Sequence, residues 1–332
     1  MRRLLLAASC ALLLLGGAAA AQEVRPAVIF DLGGKFDRSF NEAVHRGVQE
    51  FQRATGVQVQ EFELQQEAQR EQALRNFARR GQDPIIAVGF AQRSAVQAVA
   101  AEFPRTRFVV LDSTIDLPNV QSVLFREEQG SYLAGMMAAM ASRSGRIGFV
   151  GGMDIPLIRK FACGYVQGAR AVNPQVQVFQ NMTGSTPAAW RDPVRGGELA
   201  RSQIERGADV VFHAAGATGL GVLQAVADAG RLGIGVDSNQ NHLHPGRVLT
   251  SMVKRVDVAA RTSLEAARAG NWRAGVSVLG LAEDGVGVAL DEHNAALVTP
   301  EMRTRLDEAR AAIIAGRTRV HDFMSDNTCP VQ

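Results

Sequence analysis

The chain has 332 residues, 46% hydrophobic, 21% charged and only 6% aromatic, a profile that excludes a disordered tail protein, a collagen-like repeat and a disulfide scaffold. Single cores stop growing near ~250 to 300 residues, so two lobes are expected. The formal charge of +3, from 36 Lys+Arg against 33 Asp+Glu, comes from no basic cluster and carries no nucleic-acid footprint.

The first segment reads as a secretory signal peptide over residues 1–21. Arg2 and Arg3 precede an apolar run from Leu4 to Leu15, and Gly16, Gly17 and Ala18 to Ala21 lead to Gln22 as the new N-terminus. The run of about a dozen residues is short of the ~20 that a spanning helix needs. Discarding Arg2 and Arg3 leaves 34 basic against 33 acidic residues, a nearly neutral mature chain. Cys10 lies inside the apolar run instead of closing it, so no lipid anchor is expected. Cys163 and Cys329 remain as an even pair in an oxidising compartment, either a disulfide or two buried free thiols.

Strands alternate with helical patterns from there on, the signature of an α/β fold with parallel sheets. Ala27 to Asp31 is an apolar run broken by Gly33 and Gly34. Phe40, Val44, Gly47, Val48 and Phe51 then recur at helical spacing, with Asp37 or Ser39 available as N-cap and Gly56 as the stop. Strands are expected at 57–62, 84–88 and 107–111, and helices at 67–80 and 93–102. The order then repeats: a strand at 146–150, a helix at 157–172, a strand at 176–179, a helix at 195–206, a strand at 209–214, a helix at 220–229 and a strand at 233–236. Phe149 lies 119 residues after Phe30, Gly168 lies 121 after Gly47, Gly216 lies 127 after Gly89, and Asp237 lies 125 after Asp112. Both of the last pair are followed by Ser. A period this long means two similar lobes, since solenoid units run ~20 to 50 residues.

Ligands bind at the carboxyl ends of the strands in open parallel sheets, and two facing lobes turn those ends toward one cleft. The positions to inspect therefore include Asp31, Gly33 and Phe40, Gly89 and Phe90, Asp112 and Ser113, Gly151 to Asp154, Trp190, Gly216, and Asp237 to Asn239.

Five stretches form a recognisable series: Asp31-Leu-Gly-Gly-Lys-Phe-Asp37-Arg-Ser39-Phe40-Asn41, Tyr132-Leu-Ala-Gly-Met-Met-Ala-Ala, Gly145-Arg-Ile-Gly-Phe-Val-Gly-Gly152, Gly235-Val-Asp-Ser-Asn-Gln240 and Ser251-Met-Val-Lys254. Together, in this order, they resemble the basic membrane protein (BMP) family, the PnrA-like substrate-binding components of ABC importers. The resemblance implies a type I periplasmic binding-protein fold. Two doubly wound parallel-sheet lobes, 22–125 plus 254–283 and 126–253 plus 284–332, are joined by three crossings around a central ligand cleft. It implies a nucleoside ligand, a purine nucleoside first, with Phe40 and Trp190 stacking on the base. Asp31 and Asp237 would hold the ribose, Gly216 supply a backbone contact, and Lys254 complete the site, with Asn41 from the first motif. Apart from the resemblance, Asp112 at the end of its strand is expected to read the base edge. The segment Gly184-Ser-Thr-Pro-Ala-Ala-Trp190-Arg-Asp-Pro193 departs from the family spacing by extra residues before the ring. Most members are lipoproteins, and the missing cysteine at a cleavage site makes a freely diffusing periplasmic form the expectation. The partners implied are the permease subunits, met by peripheral contact at the inner membrane. A monomer is expected, with no cofactor, no metal and no catalysis.

Each of these residues also has a plainer reading. Phe40 at helical spacing could be core, Trp190 an exposed ring, Asp37 an N-cap, and Lys254 a solvated surface lysine. His242 and His244 stand two residues apart before Pro245, with no third ligand nearby. His45, His213, His293 and His321 support no triad. No G-x-S-x-G elbow or Walker loop occurs, and Gly33-Gly34 and Gly151-Gly152 do not extend to G-x-G-x-x-G. Two alternatives stand beside the nucleoside binder: a binder of another small polar solute in the same cleft, and a secreted nucleoside-processing enzyme using Asp31 or Asp237 as general base.

Overall fold

The computed structural model describes residues 23–331, so the expected signal peptide lies outside the described residues. The chain begins with β1 (Ala27–Phe30), α1 (Phe40–Thr55), β2 (Gln60–Glu63), α2 (Gln69–Arg79), β3 (Ile85–Ala87), α3 (Arg93–Glu102), β4 (Phe108–Leu111) and β5 (Val120–Phe125). It continues through α4 (Glu127–Ala141), β6 (Arg146–Met153), α5 (Pro156–Val172), β7 (Gln177–Gly184), α6 (Pro193–Glu205), β8 (Val210–Ala214), α7 (Gly219–Asp228), β9 (Leu232–Asp237) and β10 (Val248–Lys254). The last elements are α8 (Val256–Arg268), β11 (Gly275–Leu279), β12 (Val286–Val288) and α9 (Pro300–Ile314).

These strands form two six-stranded sheets, ordered β11-β5-β4-β3-β1-β2 and β12-β10-β9-β8-β6-β7. All pairings are parallel except that of β10 with β12. Helices cover both faces, which is why β1, β3 and β4 are continuous buried apolar runs and β8 is buried throughout, without alternation. The chain passes between the sheets three times, after β5, after β10 and between β11 and β12. Each sheet thus takes its far strand from beyond a crossing, and two doubly wound α/β lobes result.

The repeat seen in the sequence is a repeat in packing. A Cβ at Gly47 on α1 would overlap the Asp257 carbonyl of α8, and one at Gly168 on α5 would overlap the Tyr132 carbonyl of α4. The two matched glycines let the first helix of each lobe lie directly on the helix that follows a crossing. Strand β2 starts at Gln60, later than the expected 57, because only there does it come level with Ala27 of β1 after the left-handed turn at Gly56. Strand β7 instead runs on to Gly184, held in register with β6 as far as Met153.

Candidate functional site

The carboxyl ends of the central strands from both sheets face one cleft with a cavity volume of about 80 Å³, at the place where open parallel sheets bind ligands. The residues assigned to the ligand line it: Asp31, Phe40, Asn41 and Asp112 from one lobe, Trp190, Gly216 and Asp237 from the other, and Lys254 at a crossing, whereas the strand-end positions Ser113, Gly151 to Asp154, Ser238 and Asn239 do not.

Asp112 and Asp237, the matched pair of the repeat, end β4 and β9 with left-handed φ of 63° and 61°. Such angles are costly for a non-glycine residue, and they recur at functional sites. Asp112 accepts from Lys254 Nζ at 2.7 Å, and its other oxygen has no partner. Burial pushes its carboxyl up to about 6, against the pull of Lys254. Asp237 accepts from Ser39 Oγ at 2.5 Å and is likewise pushed up to about 6 by burial. Asp31 accepts from Arg70 Nη2 at 3.1 Å; burial raises its pKa, opposed by the Leu32 backbone and Arg70.

Around Phe40, the Asp37 carboxylate accepts from the backbone N–H groups of Ser39, Asn41 and Glu42. It caps α1 from two residues ahead of Ser39, the residue at the cap position. This frees the Ser39 hydroxyl for Asp237 of the opposite lobe. Asn41 uses its amide to clamp the backbone of Asp31: its Oδ1 accepts from the Asp31 N–H and its Nδ2 donates to the Asp31 carbonyl.

Lys254 is 2% exposed, far from a solvated surface lysine. Its ammonium lies 2.8 Å from Glu127 as well as beside Asp112, and 5.0–5.7 Å from the ring centroids of Phe125, Phe40 and Phe161. Burial disfavours its charge, but Asp112, Glu127 and Asp237 outweigh that and raise its pKa. Glu127 in turn meets Lys160 at 2.9 Å, and Lys160 meets Glu128 at 3.2 Å. Burial works against the Glu127 charge, yet the two lysines hold its pKa below the ordinary value. Glu127, Glu128 and Lys160 escape a sequence reading, because a Glu pair opening a helix and a lone Lys in Ile158-Arg-Lys-Phe161 look like solvated charges.

The lobes touch through three hydrogen bonds between the loop before α1 and the loop after β9. Ser39 Oγ donates to Asp237, Ser238 Oγ donates to the Ser39 carbonyl at 2.9 Å, and Gln240 Nε2 donates to the Arg38 carbonyl at 2.9 Å. His213 orients Gln240: burial lowers its pKa to about 4, so the neutral ring donates from Nε2 to Gln240 Oε1 at 3.0 Å. The aromatic rings are divided between the lobes as well. Phe40 and Phe90 come from one, Phe161 and Trp190 from the other.

Among the described residues lining the cleft, four carboxylates (Asp31, Asp37, Asp112, Asp237) face one cation, Lys254. An anion would meet repulsion. A neutral ligand with a flat apolar surface and several O–H or N–H donors would find rings for the first and acceptors for the second.

A family model described as "ABC transporter substrate-binding protein PnrA-like" (Bmp) matches residues 25–319. The chain belongs to the Bmp family. This Bmp protein is similar to a protein of Lactococcus lactis subsp. cremoris named "ABC transporter nucleoside-binding protein BmpA", with 29% identity covering 90% of this chain and 89% of the relative. It is also similar to a protein of Pyrococcus abyssi described as a lipoprotein, with 32% identity over 80% of this chain and 69% of that one. Among solved structures, an ABC transporter solute-binding protein from Aeropyrum pernix K1 superposes with a TM-score of 0.82 at 27% identity, covering 90% of this chain and 94% of the other. This Bmp protein is thus a substrate-binding protein of ABC transport with the periplasmic-binding-type fold.

The sulfurs of Cys163 and Cys329 are bonded in the structure, tying the segment after α9 to α5. Among the described residues no helix is long and apolar enough to cross a membrane, and no three His, Cys, Asp or Glu side chains are grouped to hold a metal.

Proposed function

We propose that the protein binds a nucleoside, a purine nucleoside first, between its lobes and presents the closed form to the permease subunits of an ABC importer. The supporting observation is the make-up of the cleft, with rings from both lobes beside carboxylates that outnumber the single lysine. Phe40 and Trp190 stack on the base; base–aromatic stacking is worth ~1 to 3 kcal/mol per ring. Asp112 and Lys254, acceptor beside donor, read the base edge. Asp31 and Asp237 accept from the sugar hydroxyls, and Gly216 brings backbone against the ligand. The name of the Lactococcus lactis relative, a nucleoside-binding protein, points to the same ligand class.

Closure transmits the signal. A ligand that touches Asp31 and Phe40 on one lobe and Trp190 and Asp237 on the other favours the closed state by its differential contacts. We further propose export by a signal peptide over residues 1–21, a freely diffusing periplasmic monomer, and lobes of 22–125 plus 254–283 and 126–253 plus 284–332. Incubating purified protein with inosine, guanosine or adenosine should raise the melting temperature and return intact nucleoside. Release of free base would instead establish the enzyme reading, and a melting temperature that responds only to another small polar solute would replace the ligand class.

A further inference from the structure

We propose that Phe90 is a specificity-determining residue. With Trp190 it forms an aromatic wall, completed only on closure, that shuts the Asp31 end of the cleft against substituents on the ligand's sugar. This rests on the nucleoside reading of the same site.

The two rings come from opposite lobes and meet edge to face, with centroids 6.4 Å apart and planes at 63°. Such an arrangement is the favoured one for aromatic pairs. Phe90 follows β3 directly. The preceding residue, Gly89, has a φ of +97°, and a Cβ there would sit 3.0 Å from Asp31 Oδ2. The backbone therefore passes against the Asp31 carboxylate, and Phe90 stands immediately beside it.

Trp190 cannot retreat to make room. A Cβ at Gly152 would overlap its ring, so β6 lies flat behind it. The carbonyl of Ala189 accepts from the hydroxyls of Thr183 and Thr218 at 3.0 and 2.8 Å, which ties the turn carrying Trp190 to its own lobe. Phe90 is half-buried and makes its contact across the cleft.

The chemistry of this end is one-sided. Asp31 offers acceptors only, suited to hydroxyl donors, whereas donor and acceptor stand together at Lys254 and Asp112 for a base edge. The nearest cation, Arg70, uses Nη2 on Asp31 and Nη1 on Glu67. A sugar enlarged by a methyl group would have to push the rings apart and with them the lobes. A phosphate would in addition face the Asp31 carboxylate.

The test is calorimetry of wild type, Phe90→Ala and Phe90→Leu with adenosine, inosine and guanosine, each against its 5′-O-methyl and 3′-O-methyl derivatives. Wild type should prefer the parent nucleosides over the methylated ones by about 100-fold or more. Phe90→Ala should narrow that preference at least tenfold while weakening the parents less than tenfold, and Phe90→Leu, which keeps bulk without the ring, should fall between. A preference unchanged within twofold in both variants overturns the role of Phe90 and leaves the nucleoside reading standing. No binding of any nucleoside by wild type overturns both.

Discussion

Replacing Lys254 by Met removes an ammonium 2.7 Å from Asp112 and 2.8 Å from Glu127, all three groups buried. Stripping one partner from a buried ion pair typically costs about 3 to 5 kcal/mol, because the other charge stays buried and uncompensated. Lys160 still stands 2.9 Å from Glu127, so Asp112 is the group left stranded, and the low end, about 3 kcal/mol, is expected. At about 2 to 4 °C per kcal/mol for a domain of this size, the melting temperature should fall by about 6 to 12 °C at pH 8. Asp112 already titrates near 6 and must rise further without Lys254, so protonation relieves the stranded charge as pH falls. The deficit should therefore shrink at pH 5. Adding Asp112→Asn should recover more than half of it. Circular dichroism melts at pH 8 and pH 5 on the three proteins test this; a Lys254→Met protein melting within about 2 °C of wild type at pH 8 would refute the claim that the lysine neutralises the buried Asp112 carboxylate.

Phe40→Ala and Trp190→Ala should each weaken purine nucleoside binding by about 1 to 3 kcal/mol, some 5- to 150-fold, with unchanged circular dichroism; unaltered affinity in calorimetry removes that ring from the site. Asp112 and Asp237 are raised to about 6 and Glu128 to about 7 by burial. The folded state thus takes up protons more readily than the unfolded chain, and the cost of these buried charges disappears as pH falls through those values. Stability of the free protein should rise from pH 8 toward pH 5, while nucleoside affinity, which needs the Asp237 carboxylate as acceptor, should fall below pH 6. Parallel trends in melts and calorimetry would contradict the assignment. Breaking the Cys163–Cys329 bond, whose ends are separated by 166 positions in sequence, should cost about 2 to 4 kcal/mol. Mass spectrometry of the alkylated protein with and without reductant should differ by two labelled thiols.

The sequence by itself determined the two α/β lobes and the strand ends that carry the site. Central parallel strands must be apolar on both faces, and the residues that follow them must turn, so both leave a one-dimensional signature. The matched pairs Asp112/Asp237 and Gly47/Gly168 showed the duplication directly. Tertiary structure alone decided how the charges are shared. Lys254 looked like a solvated lysine, and Glu127, Glu128 and Lys160 like ordinary helix charges, since nothing local in a sequence tells a buried ion pair from an exposed one. Their burial arises where crossings bring β5, α4, α5 and β10 together beside the end of β4, from positions up to 142 residues apart. The cross-lobe contacts, Ser39 on Asp237, Gln240 on Arg38 and Phe90 on Trp190, exist for the same reason: each joins two loops whose meeting depends on how the lobes close.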